Sequence, residues 1–241
     1  MADRDKAIPR TRLNRDRVLR AAIALADEVG IDSLSMRNLA QRLDVVPMAL
    51  YKHVANKDEL LDGMVDVLVA EIGPPDSGLD WKPAVRGRIL AARRALQRHV
   101  WAARVIEARP APTPAVRAYL DSMIGMFRAG GLSIDLTHHV MHALGSRVLG
   151  FTQELFDSSP SLDPQTQSAA LQDMSSTYPH IVAIASRADH DEQSVVGPGC
   201  DDQFEFEFAL DLLLDGFERL WRQGWSSTDP AHNAKAAAIE R

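Results

Sequence analysis

Nine residues between Arg37 and Lys57 suit a grooved polyanion: Arg37, Val46, Pro47, Met48, Ala49, Tyr51, Lys52, His53 and Lys57. Arg37 carries a planar donor fork that can reach the paired acceptors of a guanine edge. Tyr51 and Lys57 can donate to phosphate oxygens, as can the free N–H groups at a helix start. Lys52 and His53 can reach backbone or base edges, and Met48 and Ala49 can touch a thymine methyl. The charge distribution agrees. Residues 1–57 hold 11 Lys and Arg against 7 Asp and Glu, while the remainder holds 16 against 26. A basic end on an acidic body, at net charge -6, is the footprint of a protein that meets a polyanion with one end. On charge alone, a solvated basic tail accounts for the same numbers.

Such residues need elements to hold them. Asn14 or Arg15 opens a helix to about Val29, with Val18, Ala22, Leu25 and Val29 recurring on one face. Gly30 stands where a left-handed helix terminus is expected. Ser35 can cap a second helix through Leu43, with Met36, Leu39, Ala40 and Leu43 turned inward. Asp44 and Val45 make a short turn. Pro47 suits the first turn of a third helix ending near His53, because its missing N–H would be unpaired there anyway. Asn56 caps a fourth helix, Lys57 to Ile72. The second and third helices make a helix-turn-helix over Ser35–His53. Ala40 is small enough for close crossing, and Leu39, Leu43, Val45, Leu50 and Val54 serve as anchors. An ordinary helical hairpin shares this spacing.

The rest of the chain is punctuated at helix intervals. Gly73-Pro74-Pro75 and Asp76-Ser77-Gly78 mark a joint. Helices are expected over Trp81 to Trp101, with Val85, Ile89, Ala92 and Leu96 on one face, and over Thr113 to Ala129. Further helices follow over Ser133 to Phe156, Gln165 to Ser176, Pro179 to Ala188 and Asp202 to Gln223. Residues 158–164 and 189–201 read as loops, the second mobile, and the tail from Ser226 as frayed. No period-2 strand pattern occurs, so the fold is all-α. Its parts are a flexible basic arm (1–13), a three-helix domain carrying the helix-turn-helix (14–57), a linking helix and loop (58–80), a larger helical domain (81–225) and a polar tail (226–241). A single Cys200 excludes an internal disulfide and fits a reducing cytoplasm. The charged start has no apolar leader, and no uncharged apolar run is long enough to span a bilayer.

Ordered segments sharpen this reading. They are Ala21-Ala22, Leu25 and Val29-Gly30, then Leu34-Ser35-Met36-Arg37-Asn38-Leu39-Ala40, then Leu43-Asp44-Val45. Leu50-Tyr51-Lys52-His53-Val54 and Asn56-Lys57-Asp58-Glu59-Leu60-Leu61 complete the set. Together Val18 to Ile72 resembles the DNA-binding domain of the tetracycline-repressor (TetR) family of transcriptional regulators. Residues 81–223 resemble the tetracycline-repressor subgroup more loosely, through Trp81, Arg93-Arg94-Ala95-Leu96, Gly130-Gly131-Leu132 and Leu149-Gly150. The resemblance implies a homodimer on a palindromic duplex operator, its recognition helices roughly 34–36 Å apart. It also implies dimerisation through the helices at 133–156 and 202–223, the latter with Phe206, Leu210, Leu213, Phe217, Leu220 and Trp221 at helical spacing. One departure is Asp44, where the family's turn carries Gly; Asp tolerates left-handed geometry better than most residues.

The resemblance further implies a small-molecule effector bound in the larger domain. The positions that hold magnesium and tetracycline in the subgroup fall on Gly73, near Arg88 and near Ser146, so an effector other than tetracycline is expected. Candidate pocket residues are Arg88, Trp101, Met123, Phe127, His139, His142, Arg147 and Phe151, each also a plausible packing residue. Arg88 or Arg147 inside a pocket would favour an anionic ligand. His138 and His142 have metal-compatible i, i+4 spacing, but no carboxylate or cysteine completes a motif. No metal or cofactor is expected, nor an enzyme: there is no Glu-x-x-His pair, nucleotide-binding glycine loop or nucleophile elbow. The competing reading is a helical ligand-binding protein or enzyme with a vestigial DNA-binding domain.

Overall fold

The structure is a computed structural model and describes residues 12–76, 78–148, 177–180 and 202–229. Every regular element among them is helical, and none of these helices is long and apolar enough to cross a membrane. The elements are α1 (Arg15–Val29), a 3-10 turn (Ile31–Ser33), α2 (Met36–Arg42), α3 (Pro47–Leu50), α4 (Lys57–Glu71), α5 (Trp81–Arg98), α6 (Ala102–Ala108), α7 (Pro114–Ala129), α8 (Ile134–Val148) and α9 (Asp202–Arg222). The expected helix at 165–176, residues 181–188 of the one expected over Pro179 to Ala188, the loops at 158–164 and 189–201, the first residues of the basic arm, the end of the helix to Phe156 and the tail from residue 230 lie outside the described residues.

The chain forms two compact units. The first comprises residues 1–75 and 90–123, the second 76–89 and 124–241. The division falls within α5 and within α7. The cause is packing: Ala95, Trp101, Ala102 and Val105 are buried in the same core as α1 and α4.

In the first unit, α1 starts where Asn14 Oδ1 accepts the Arg17 N–H at 2.8 Å and ends at Gly30, whose φ is 81°. Val18, Leu19, Ala22, Ile23, Leu25 and Ala26 form its buried face. Val29, expected on that face, is exposed, because the helix is already terminating there. Helix α4 crosses α1 closely at Gly63, where a Cβ would lie 2.7 Å from Leu19 Cδ2. The expected single helix to Trp101 stops at Arg98; a turn over 99–101 follows, then α6. That turn is held to α1 from the side. His99 Nδ1 sits 2.9 Å from Asp27 Oδ1, and the Trp101 indole N–H donates to the same oxygen at 2.6 Å.

In the second unit, the Trp81 and Phe127 rings pack with centroids 5.7 Å apart, and a Cβ on Gly130 would collide with the Trp81 ring. Gly131, at φ +87°, accepts the Trp221 indole N–H on its carbonyl at 3.1 Å. Lys82 pairs with Asp215 and Glu218, and Arg86 pairs with Glu207 and Asp211, each at 2.6 Å. One helix of cations thus faces one helix of acids at matching i, i+4 intervals.

Candidate nucleic-acid interface

The helix-turn-helix is built by short-range bonds that its sequence dictates. Ser35 Oγ accepts the Asn38 N–H at 3.1 Å, satisfying one of the unpaired donors at the start of α2. Asn38 in turn donates from Nδ2 to the Ser33 carbonyl at 3.0 Å. Leu39 and Ala40 are buried, which brings the helices close. After Arg42 the chain turns through Asp44, whose φ of 55° is the one positive value at a non-glycine residue among the described residues. The Val45 N–H returns to the Ala40 carbonyl at 3.0 Å and closes the turn. Helix α3 is shorter than expected and ends at Leu50, because its last turn tightens. His53 N–H and Val54 N–H both donate to the Leu50 carbonyl, at 2.8 and 3.1 Å. Leu50 and Val54 anchor this segment in the core. Asn56 Oδ1 accepts the Glu59 N–H at 2.8 Å, and Glu59 Oε2 accepts the Ala55 N–H at 2.7 Å, so α4 begins with a reciprocal cap.

With the anchors inward, the other side chains have one way to point. Arg37, Val46, Pro47, Met48, Tyr51, Lys52 and Lys57 are exposed, and Ala49 and His53 are half-buried. Val46 and Met48 are 69% and 71% exposed, unusual for apolar residues flanked by a well-filled core. Arg42, at the rear of α2, is committed elsewhere. It makes a two-point ion pair to Glu28 of α1 at 2.5–2.6 Å, and its hydrogen bonds hold the Glu28 carboxyl below the usual range. This leaves a surface with a guanidinium, a phenol and two ammonium groups around an apolar tip. It can hydrogen-bond phosphates at its edges and press against base edges at its centre.

Comparison with known proteins fits this geometry. The profile for bacterial regulatory proteins of the tetR family matches residues 18–64, and that for the tetracyclin repressor-like C-terminal domain matches residues 74–221. The chain belongs to the TetR family. It is 30% identical to the class G tetracycline repressor protein of Vibrio anguillarum over 87% of its own length and 96% of that protein's. It superposes on the Streptomyces coelicolor TetR family protein ActR, solved in complex with actinorhodin. The TM-score is 0.65 at 26% identity, covering 87% of this chain and 98% of that one. It also superposes on BioQ with its double-stranded DNA operator, at TM-score 0.57 and 27% identity, covering 86% and 98%. The chain is accordingly a DNA-binding transcriptional regulator with an N-terminal helix-turn-helix and a helical C-terminal domain.

In this TetR-family chain the expected pocket residues scatter. Trp101 and Met123 belong to the first unit. Both are buried, and Trp101 spends its N–H on Asp27. Arg88, Phe127, His139 and His142 belong to the second unit. There Phe127 packs on Trp81, and the two histidines are exposed. The Arg147 side chain and Phe151 lie outside the described residues. Of these, His139 lines a cavity of about 430 Å³ with apolar walls, between Val140, Phe217, Leu220 and Trp225. The His138 and His142 rings are 4.6 Å apart, and no group of three metal-ligating side chains forms among the described residues.

Two features went unread in the sequence. The first is an acid stripe on α4. Arg109, just after α6, binds Asp58 at 3.0 Å and Asp62 at 2.8 Å, while the Ala115 N–H at the start of α7 donates to Asp66 at 3.3 Å. The i, i+4, i+8 spacing of these aspartates was there to be found. The second is on α9. Phe206, Leu210 and Phe217, expected to cover a partner, are buried within their own unit. The opposite face carries Phe204, Phe208 and Leu212, each more than half exposed, with the two phenyl rings stacked 6.4 Å apart.

Proposed function

We propose that the chain is a dimeric repressor that binds a palindromic operator through Arg37, Val46, Pro47, Met48, Ala49, Tyr51, Lys52, His53 and Lys57. A small organic effector other than tetracycline releases it. The observation that carries the reading is the outward face of α2 and α3, where exposed apolar side chains sit inside a ring of donors. The second copy packs on the helix face of Phe204, Phe208 and Leu212 and on α8. Three exposed large apolar residues at i, i+4, i+8 are a stripe that a helix in water has reason to cover.

Release runs through α4. Arg109 and Ala115 hold its aspartates, so a shift of α6 and the start of α7 drags α4. Asn56 and Glu59 couple the start of α4 to the end of the recognition segment. An effector shifts this equilibrium only by its differential affinity for the two arrangements. Actinorhodin is the first compound to test, since the similar protein ActR has been solved in complex with it. In a fluorescence-anisotropy titration on a bound operator duplex, the effector lowers DNA affinity, and the duplex reciprocally weakens the effector. A ligand that tightens DNA binding contradicts the mechanism.

A further inference from the structure

This inference rests on the DNA-binding reading and states what the face reads. The tip of α3 is Val46-Pro47-Met48-Ala49. Val46 and Met48 are among the most exposed large apolar residues described, Pro47 is exposed and Ala49 is half-buried. Folding does not require this surface, because the segment's anchoring to the core is carried by Leu50 and Val54, at 0% and 1% exposure. The four side chains offer two alkyl groups, a pyrrolidine ring and a thioether, and so no hydrogen-bond donor and at most a weak acceptor. Val46 caps α3 without a side-chain bond, and Pro47 has no N–H to give.

Base edges in the major groove differ in what they ask of such a surface. Guanine shows two acceptors, adenine an acceptor and a donor, cytosine a donor, and thymine an acceptor beside a 5-methyl group. Pressed onto a polar edge, Val46 or Met48 would strip its water and return nothing, an uncompensated desolvation. Pressed onto a methyl group, the same side chain buries apolar surface on both partners.

We propose that the tip of α3 selects thymine through its 5-methyl groups, with Val46 and Met48 as the contact residues. Hydrogen-bonded readout is left to the polar side chains around the tip, Arg37 on α2 among them. The inferred half-site therefore has thymines under the tip and a guanine within reach of Arg37.

Uracil tests this, because it removes the methyl group and keeps every hydrogen-bonding atom. Duplexes are selected from a random pool with the full-length protein. Each thymine of the symmetric half-sites is then replaced by uracil in turn, and affinity is read at fixed salt. The expected result is a loss of about fourfold per methyl group at one or two adjacent positions. The loss at one of them disappears in Met48→Ala or Val46→Ala. Both residues are exposed, so neither variant opens a core cavity. Two results overturn the inference: uracil binding as tightly as thymine throughout, or losses of unchanged size in both variants. Failure to select any duplex contradicts the DNA-binding reading itself, whereas selection without a methyl effect contradicts only this inference.

Discussion

Asp44 sits in the left-handed region at φ 55°, at the point where α2 must hand over to α3 within four residues. An L-residue there crowds its Cβ against the backbone, which costs roughly 1–2 kcal/mol; Asn and Asp suffer least because their short polar side chains bond locally. The turn is therefore tolerant of Gly and intolerant of branching. Asp44→Gly is expected to melt within about 1 kcal/mol of the parent, the relieved strain offsetting added chain entropy. Asp44→Val is expected to lose about 1–2 kcal/mol and to loosen α3. Thermal melts followed by circular dichroism separate the two, and equal losses would mean that left-handed geometry is not what the position selects. The proposed recognition side chains pose a different problem. Their exposure follows from their neighbours, since Leu39, Leu50 and Val54 consume the inward directions. Tyr51, Lys52 and Lys57 remain outside.

At the scale of elements, caps decide where helices begin, and caps are local. Asn14, Ser35 and Asn56 each bond an N–H three residues on, which is why α1, α2 and α4 were legible in sequence almost to the residue, whereas α3, with no side-chain cap, ends earlier than its pattern suggests. The limits of α5 and α6 were not legible. The break over 99–101 is secured by Asp27, more than seventy residues upstream, and no periodicity encodes that. The same holds for the proposed dimer face. Helical spacing finds two apolar faces on α9 but does not say which one the chain's own core takes. A long-range contact also fixes the end of α9. The Asp135 carboxylate on α8 accepts the Ser227 hydroxyl and N–H, both at 2.7 Å, and the Ser226 hydroxyl at 3.1 Å. These bonds, those from Ser227 first, hold its carboxyl below the usual carboxylate range. A depressed folded-state value stabilises the turn above the ordinary carboxylate pKa, and that contribution is lost as pH falls through the depressed value. Amide exchange at Ser227 is therefore expected to be slow at neutral pH and to lose its protection on acidification, whereas Asp135→Asn shows no such acid transition. Protection independent of pH in the parent chain would rule out this anchoring.

At the scale of the molecule, the first unit holds the exposed α2–α3 face, α4 and α6, and the second holds the outward apolar stripe of α9 and a ladder of ion pairs. The chain's net negative charge lies in residues 58–241, which in the proposed reading leaves the basic end free to approach phosphates. The central claim is that a pair of α2–α3 faces grips one duplex, and the most direct measurement is a salt-dependent titration of a selected palindromic duplex with stoichiometry read in the same cell. A grip by paired faces predicts two chains per duplex for the parent. It predicts weaker binding to all sequences for Lys57→Ala, with the slope of log affinity against log salt reduced by about one for each phosphate no longer neutralised. For Phe208→Lys it predicts loss of the two-chain complex. One chain per duplex, or a Lys57→Ala titration that overlays the parent at every salt concentration, would contradict it.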